Sequence, residues 1–194
     1  MKKLTSVMLA LALAGCASGG GGGRWETLID GAKGMENFNS VGTANWQVKD
    51  GSIYADRSQK DAGFLVTRKA YTNFNLRVEF WASHDANSGI FMRCKNPAVI
   101  TDKTCYEANI FDQRPDPTYG TGAIVHFAAV ATPYPQAGGQ WNVFEITARG
   151  NRVTVVLNGR QTVDMVHNEM TSGPVALQWG RGVIRFRKVQ IQEI

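Results

Sequence analysis

From Trp25 to the end of the chain, apolar and polar residues alternate in short runs broken by Gly, Asn, Asp and Pro, the period of two that a half-buried β-strand requires. NWQVKDGSIYA alternates on both sides of an Asp-Gly turn, and GFLVTRKAY, FNLRVEFWAS, GIFMRC, YEANIF and GAIVHFAAV alternate again. In WNVFEITARGNRVTVVLNGRQTVDMV, a Gly-Asn and an Asn-Gly pair separate β-branched runs, which predicts hairpins. GPVALQW and VIRFRKVQIQEI close the chain. The pattern predicts roughly eleven to thirteen short strands, no helix-period segment longer than about two turns, and no internal repeat. The economical architecture is all-β, a single-domain β-sandwich or jelly roll.

Parity assigns the faces. In NLRVEFW, Leu76, Val78 and Phe80 oppose Arg77, Glu79 and Trp81; in GIFMRC, Ile90 and Met92 oppose Phe91 and Arg93. In CYEANIF, Tyr106, Ala108 and Ile110 oppose Glu107, Asn109 and Phe111. Three consecutive strands are thus expected to offer an apolar face and a face that mixes aromatic rings with charge. A concave sheet that interleaves Trp81, Phe91 and Phe111 with Arg and Glu suits a sugar or another polar ligand. The competing reading puts the rings under loops and the charges in cross-strand ion pairs.

The first residues break the alternation. MKK is a charged start, LTSVMLALALA is an apolar run of eleven residues, and LAGC at 13–16 is similar to the lipobox of bacterial lipoproteins. The run is too short to span a bilayer and reads as a secretory signal. The expected organisation is a lipoprotein signal peptide at 1–15, a lipidated Cys16 and flexible Gly-rich tether at 16–23, and one β domain at 24–194. Two acyl signals on one cysteine suffice for stable anchoring, so the expected location is the cell envelope, facing the periplasm, with Ala17 favouring the outer membrane. A plain signal peptide cleaved nearby is the alternative. The formal charge is +5, of which Lys2 and Lys3 belong to the leader. The remainder is mild and scattered, which excludes a nucleic-acid footprint.

Three cysteines then divide. With Cys16 taken by lipid, Cys94 and Cys105 are left in an oxidising compartment, where a bridge around ten residues is expected. Such a bridge contributes about 2–3 kcal/mol in the chain-entropy picture. Alternation puts Cys105 on the Glu107 face and Cys94 opposite Arg93, so a bridge requires a bulge or one cysteine beyond the paired ladder. Two free thiols are the alternative. A metal site is disfavoured, because no His or second thiol pair stands nearby at ligand spacing.

The blocks FNSVGTANWQVKDGSIYA, FLVTRKAYTNFNLRVEFWASHDANSGIFMRC, YEANIFDQRPDPTYGTGAI, QWNVFEITARGNRVTVVLNG and GPVALQWGRGVIRFRKVQIQEI resemble, in order, the bacterial 3-keto-disaccharide hydrolase domain. The resemblance spans essentially residues 25–194. It implies a concanavalin A-like jelly roll, related to laminin-G and glucanase folds. It also implies a chemistry. A ketone at C3 acidifies the C2 hydrogen, so C2 deprotonation, elimination of the C1 group and hydration achieve net hydrolysis of a 3-keto-glycoside. Such a site needs a general base, a cation or donor near the enolate oxygen, and help for the leaving group. It does not need the two flanking carboxylates of ordinary glycosidases.

By the resemblance, Glu107 matches the glutamate of the family's YE-x-x-I strand and is the expected base. Arg93 matches the family's arginine; it is expected on the same face one strand away, as the second catalytic residue or as the partner in a structural ion pair. Glu79 is a second candidate carboxylate, or half of a cross-strand pair. Asn109, Asp112, Gln113, Arg114 and Tyr119 are candidate sugar contacts on the run into the Pro- and Gly-fixed loop DQRPDPTYGTG, with turn capping the competing role for Asp112. Gln178 and Trp179 are further candidates, although Trp179-Gly180-Arg181 departs from the family's pattern and puts leaving-group assistance in doubt.

His84 and His167 read as surface residues, and His126 as a satisfied histidine at the core edge rather than a catalytic one. No Ser-His-Asp order, phosphate loop or metal motif is present. No cofactor is called for, and bound calcium stays open. A small-molecule sugar is the expected partner. Beside the hydrolase stand a non-catalytic carbohydrate-binding lipoprotein, stacking sugars on Trp81, Phe91, Trp179 and Tyr119, and a structural envelope lipoprotein with a vestigial pocket.

Overall fold

The computed structural model describes residues 23–194; the expected signal sequence, Cys16 and all but the last residue of the tether lie outside them. The alternation becomes thirteen strands: β1 (Glu26–Asp30), β2 (Phe38–Ala44), β3 (Gln47–Lys49), β4 (Ser52–Ala55), β5 (Ser58–Thr67), β6 (Phe74–Ala82), β7 (Ser88–Met92), β8 (Tyr106–Ile110), β9 (Trp141–Arg149), β10 (Arg152–Leu157), β11 (Arg160–Val166), β12 (Ala176–Trp179) and β13 (Ile184–Glu193). The helical elements among the described residues are single 3-10 turns at Met35–Asn37 and Pro117–Tyr119.

Two sheets form, with antiparallel pairing between all the paired strands. The eight-stranded sheet runs β11-β10-β9-β6-β13-β4-β3, with β1 also on β13, and the five-stranded sheet runs β2-β5-β12-β7-β8. The predicted turns hold. Asp50-Gly51 (φ 47 and 66) joins β3 to β4, and Asn158-Gly159 (φ 50 and 80) joins β10 to β11. Both pairs supply the two positive φ angles of a tight hairpin whose twist matches its strands.

Between the sheets lies one core. Leu76, Val78 and Phe80 of β6, Phe144 and Ile146 of β9, and Phe186 and Val189 of β13 meet Leu65, Ile90, Met92, Tyr106, Ala108 and Leu177 from the smaller sheet. Each fully buried large side chain contributes about 1.5–3 kcal/mol. The other face of the smaller sheet carries a second, local apolar cluster of Phe64, Val66, Phe91, Cys94, Ile100, Cys105 and Ala176. The architecture is therefore the expected jelly-roll β-sandwich.

One expectation about the strands changes. The loop at 83–87 carries the chain from one sheet to the other, so β6 lies in the eight-stranded sheet while β7 and β8 lie in the five-stranded one. The mixed faces of the three strands are not one surface. Both sheets turn apolar residues inward with the same alternation, so parity identifies the inward face and is silent about which sheet a strand joins.

Candidate functional site

Glu107 is the second residue of β8 and points away from the main core, yet only 6% of it is exposed. Its cross-strand neighbour on β7 is Phe91, and the side chain leans over the adjacent Gly89. A methyl group at Gly89 would meet Glu107 Oε1 at 2.6 Å and Cγ at 2.9 Å. The missing side chain is thus the slot in which the carboxyl lies. Burial first, and the nearby charge of Asp102 second, push the Glu107 carboxyl up to about 8, against a smaller opposing pull from Arg114. A buried carboxyl tuned towards neutrality is the property of a proton-transfer group.

The cleft above it has a volume of about 400 Å³. Phe64 and Phe91 form its apolar floor, edge to face with centroids 5.4 Å apart. Gln178 and Asn87 line one side, and Arg114 brings a guanidinium to the opening. The remaining wall is the disulfide loop, through Ile100, Thr101 and Asp102. Gln178 has a buried amide oxygen without a hydrogen-bond partner among the described residues, and the same is true of Asn109. An acceptor left unpaired in a cleft favours a ligand that brings hydroxyl donors. A recess of about 450 Å³ between Thr43, Asn45 and Arg57 is larger, but its lining holds no carboxylate or imidazole. The Glu107 cleft is therefore the candidate site. Among the described residues, no three His, Cys, Asp or Glu side chains gather closely enough to hold a metal ion.

Arg93 does not join Glu107. It lies one residue past the end of β7 with φ 53, a left-handed conformation that breaks the alternation. Its guanidinium is fully buried and donates to the carbonyl oxygens of Thr72 (3.0 Å), Gly150 (2.8 Å) and Met170 (3.4 Å). It ties three loops together and forms neither the catalytic contact nor the ion pair expected. The cation at the cleft is Arg114. The same break brings Cys94 to the outer face, where it is bonded to Cys105, as expected of the pair in an oxidising compartment.

The other candidates divide. Gln178 and Arg114 line the cleft with Glu107. Asn109 is fully buried under the following loop and donates to Tyr119 O at 2.7 Å, so both residues fasten that loop. The Asp112 carboxylate accepts from Thr121 Oγ1 at 2.6 Å, Ala137 N at 3.0 Å and Gly138 N at 2.8 Å, the turn-holding role. Gln113 is exposed outside the cleft. Trp179 donates to Gly182 O at 2.8 Å and packs against the main core.

Glu79 stands on the outer face of the eight-stranded sheet, paired with Arg77 at 3.1 Å and Arg187 at 2.8 Å, and Trp81 lies there beside Arg185. Neither approaches Glu107, and of the four rings expected to stack sugars only Phe91 lines the cleft.

The histidines shift as well. His84 is exposed as expected, whereas His167 is half-buried and hydrogen-bonds the Tyr106 hydroxyl at 2.7 Å. His126, expected at the core edge, is exposed with φ 68, its Nε2 2.9 Å from Asp102 Oδ2. Asp61, Phe64, Asn87 and Asp102 are cleft residues that the sequence reading missed. For Asp102 a signal existed: a staple ending at Cys105, two residues from Glu107 on the same face, must drape its loop beside that carboxyl.

The fold and cleft define a jelly-roll β-sandwich with a cleft on the outer face of its smaller sheet. Similar solved structures include a candidate glycosyl hydrolase from Parabacteroides distasonis ATCC 8503 (18% identity, TM-score 0.74, covering 88% of this chain and 94% of that one). They also include carbohydrate binding module CBM66 from Bacillus subtilis (17%, 0.56, 85% and 92%) and the potassium-bound carbohydrate recognition domain of Emp46p (10%, 0.63, 87% and 98%). At these identities the likeness establishes the fold. None of the curated proteins compared matches the chain. Over residues 24–192 the chain matches the model of the 3-keto-alpha-glucoside-1,2-lyase-like domain, and it belongs to that family.

Proposed function

We propose that the protein is a carbohydrate-active enzyme that cleaves 3-keto-glycosides by elimination across C1 and C2, followed by hydration. The observation that carries this reading is the Glu107 carboxyl, buried in the cleft and raised to about 8 by that burial, with Arg114 lining the same cleft. In its ionised form Glu107 takes the C2 hydrogen, and the electron pair moves onto the C3 oxygen as an enolate. Arg114 at the cleft opening supplies positive charge for that oxygen. The enolate collapses, C1=C2 forms, and the C1–O bond breaks with its electrons going to the leaving oxygen, which takes a proton. Water then adds its oxygen to C1 and releases one proton, which replaces the one taken by the leaving oxygen, and Glu107 returns its proton to C2. The family's description names this lyase chemistry, and the carbohydrate-related neighbours agree with a sugar ligand.

The purified protein, given a 3-keto-glucoside in deuterium oxide, should release the aglycone and incorporate deuterium at C2. The rate should rise with pH through about 8 as Glu107 ionises. Glu107→Gln should lose about 10²–10⁴-fold. Full turnover in that variant overturns the assignment of the base. A second reading, sugar binding without catalysis, is favoured by the Phe64–Phe91 floor. It predicts saturable binding with neither C2 exchange nor product.

A further inference from the structure

We propose that Asp102, held by His126, is the second proton-transfer group of the cleft and serves the oxygen that departs from C1. This rests on reading the cleft as a 3-keto-glycoside site. In an alpha-glucoside the C2 hydrogen and the C1 oxygen stand on opposite faces of the ring, so a single carboxyl beneath C2 does not also reach the leaving oxygen. A poor leaving group such as an alkoxide needs a proton as it departs. Among the other cleft residues, Gln178, Asn87 and Thr101 carry amides or a hydroxyl, Arg114 does not give up its proton in a protein, and Asp61 is exposed without a histidine beside it.

Asp102 differs from these. It lines the cleft, and its Oδ2 lies 2.9 Å from His126 Nε2. Both partners are referred to the strand that carries Glu107. The disulfide closes the Asp102 loop onto Cys105 at the start of that strand, while buried Ile100 pins its middle. On the other side, Val125 N donates to Glu107 O at 3.1 Å, and the turn holding His126 is closed by Ala128 N donating to Ile124 O at 2.8 Å. That turn puts His126 in a left-handed conformation, φ 68, which costs a non-glycine residue about 1–2 kcal/mol. The side chains of the pair are 47% and 36% exposed, and an exposed pair of this kind contributes about 0–1 kcal/mol. Stability alone therefore does not account for the strained histidine. An imidazole bonded to a cleft carboxylate is a device for storing and returning a proton.

The steps balance. Glu107 takes the C2 proton. The Asp102–His126 pair, carrying one proton, gives it through Asp102 to the leaving oxygen as the C1–O bond breaks. In the hydration, water gives its oxygen to C1 and one proton to the pair, and Glu107 restores hydrogen to C2. Both groups end as they began. Asp102 is the group that meets the substrate, and His126 is the residue that positions and recharges it.

The test compares two aglycones on the full protein, methoxide and 4-nitrophenoxide, both as 3-keto-alpha-glucosides. The second leaves without protonation. Asp102→Asn should slow release of methanol by about 10²-fold or more and release of 4-nitrophenol only a few-fold. It should retain exchange of the C2 hydrogen of the methyl glucoside with deuterium, because that step belongs to Glu107, with the pH profile of exchange moved to lower pH by loss of the Asp102 charge. His126→Gln should show the same asymmetry to a smaller extent. Equal losses on both aglycones, lost C2 exchange, or no loss on either overturns the proposal. If the wild-type protein neither exchanges nor cleaves these substrates, the reading of the cleft itself fails and the proposal falls with it.

Discussion

Replacing Glu107 by glutamine keeps the shape of the side chain and removes its charge, so the pH dependence of unfolding isolates the effect of burying that carboxyl. The folded protein holds the group at about 8, against an ordinary value of 4.5. A folded value above the unfolded one means that, between 4.5 and 8, the native state binds a proton which the unfolded chain has released. The contribution of the protonated carboxyl is complete below 4.5 and is lost progressively as pH rises through 8. At about 1.4 kcal/mol for each tenfold change in proton concentration across that window, the loss between pH 6 and pH 9 comes to about 2.5 kcal/mol. Urea unfolding of wild type and Glu107→Gln at the two pH values supplies the comparison, because all other titrations are common to both. The variant should gain about 2.5 kcal/mol relative to wild type on going from pH 6 to pH 9. Parallel stabilities at both pH values, or a relative loss at pH 9, would show that the carboxyl ionises in the fold without hindrance. Glu107 would then be an ordinary carboxylate rather than a tuned base. The same burial that would make Glu107 a strong base makes the protein weaker: the pH range in which the carboxyl ionises is the range in which it destabilises the fold.

Two further outcomes follow from the geometry. Gly89→Ala places a methyl 2.6 Å from Glu107 Oε1 and must push the carboxyl out of its slot, while the backbone there does not need a positive φ. Turnover of a 3-keto-glucoside should fall about 10²-fold, the overpacking should cost about 1–3 kcal/mol of unfolding free energy, and undiminished turnover would show that the slot is not required. Arg93→Met removes the donor to three carbonyl oxygens and should lower the unfolding free energy by about 2–4 kcal/mol. At a temperature where the variant stays folded, its turnover should remain within a few-fold of wild type; a stable but inactive variant would return Arg93 to the chemistry.

The sandwich was legible because its information is local. Alternation at Leu76, Val78 and Phe80, and turn pairs such as Asp50-Gly51 and Asn158-Gly159, are properties of neighbouring residues, and each appears in the structure where the pattern put it. Glu107 was legible in two steps: parity put it, with Asn109, on the outer face of its strand, and the resemblance to the family's YE-x-x-I strand singled it out as the base. What parity could not supply was the partner set. Glu79 and Glu107 have the same local signature, an acid alternating with apolar residues, and they lie on opposite outer surfaces of the sandwich. Which strands share a sheet is decided by long-range packing, through loops whose composition does not encode their destination.

Arg93 and the cysteines show how such a conflict carries information. Strict alternation demanded that Arg93 face with Glu107 and that Cys94 face away, whereas a bridge to Cys105 demanded that Cys94 face with Glu107. Both demands could not hold in a regular strand. The chain resolves them at one residue: a left-handed turn at Arg93 ends β7, sends the guanidinium to the carbonyl oxygens of Thr72 and Gly150, and delivers Cys94 to the outer face. The buried arginine anchors the point at which the strand turns, the disulfide fixes the loop that follows, and that loop supplies Ile100, Thr101 and Asp102 to the cleft. The arginine thus acts on the cleft from a distance, by placing the wall beside Glu107 rather than by lining the cleft itself.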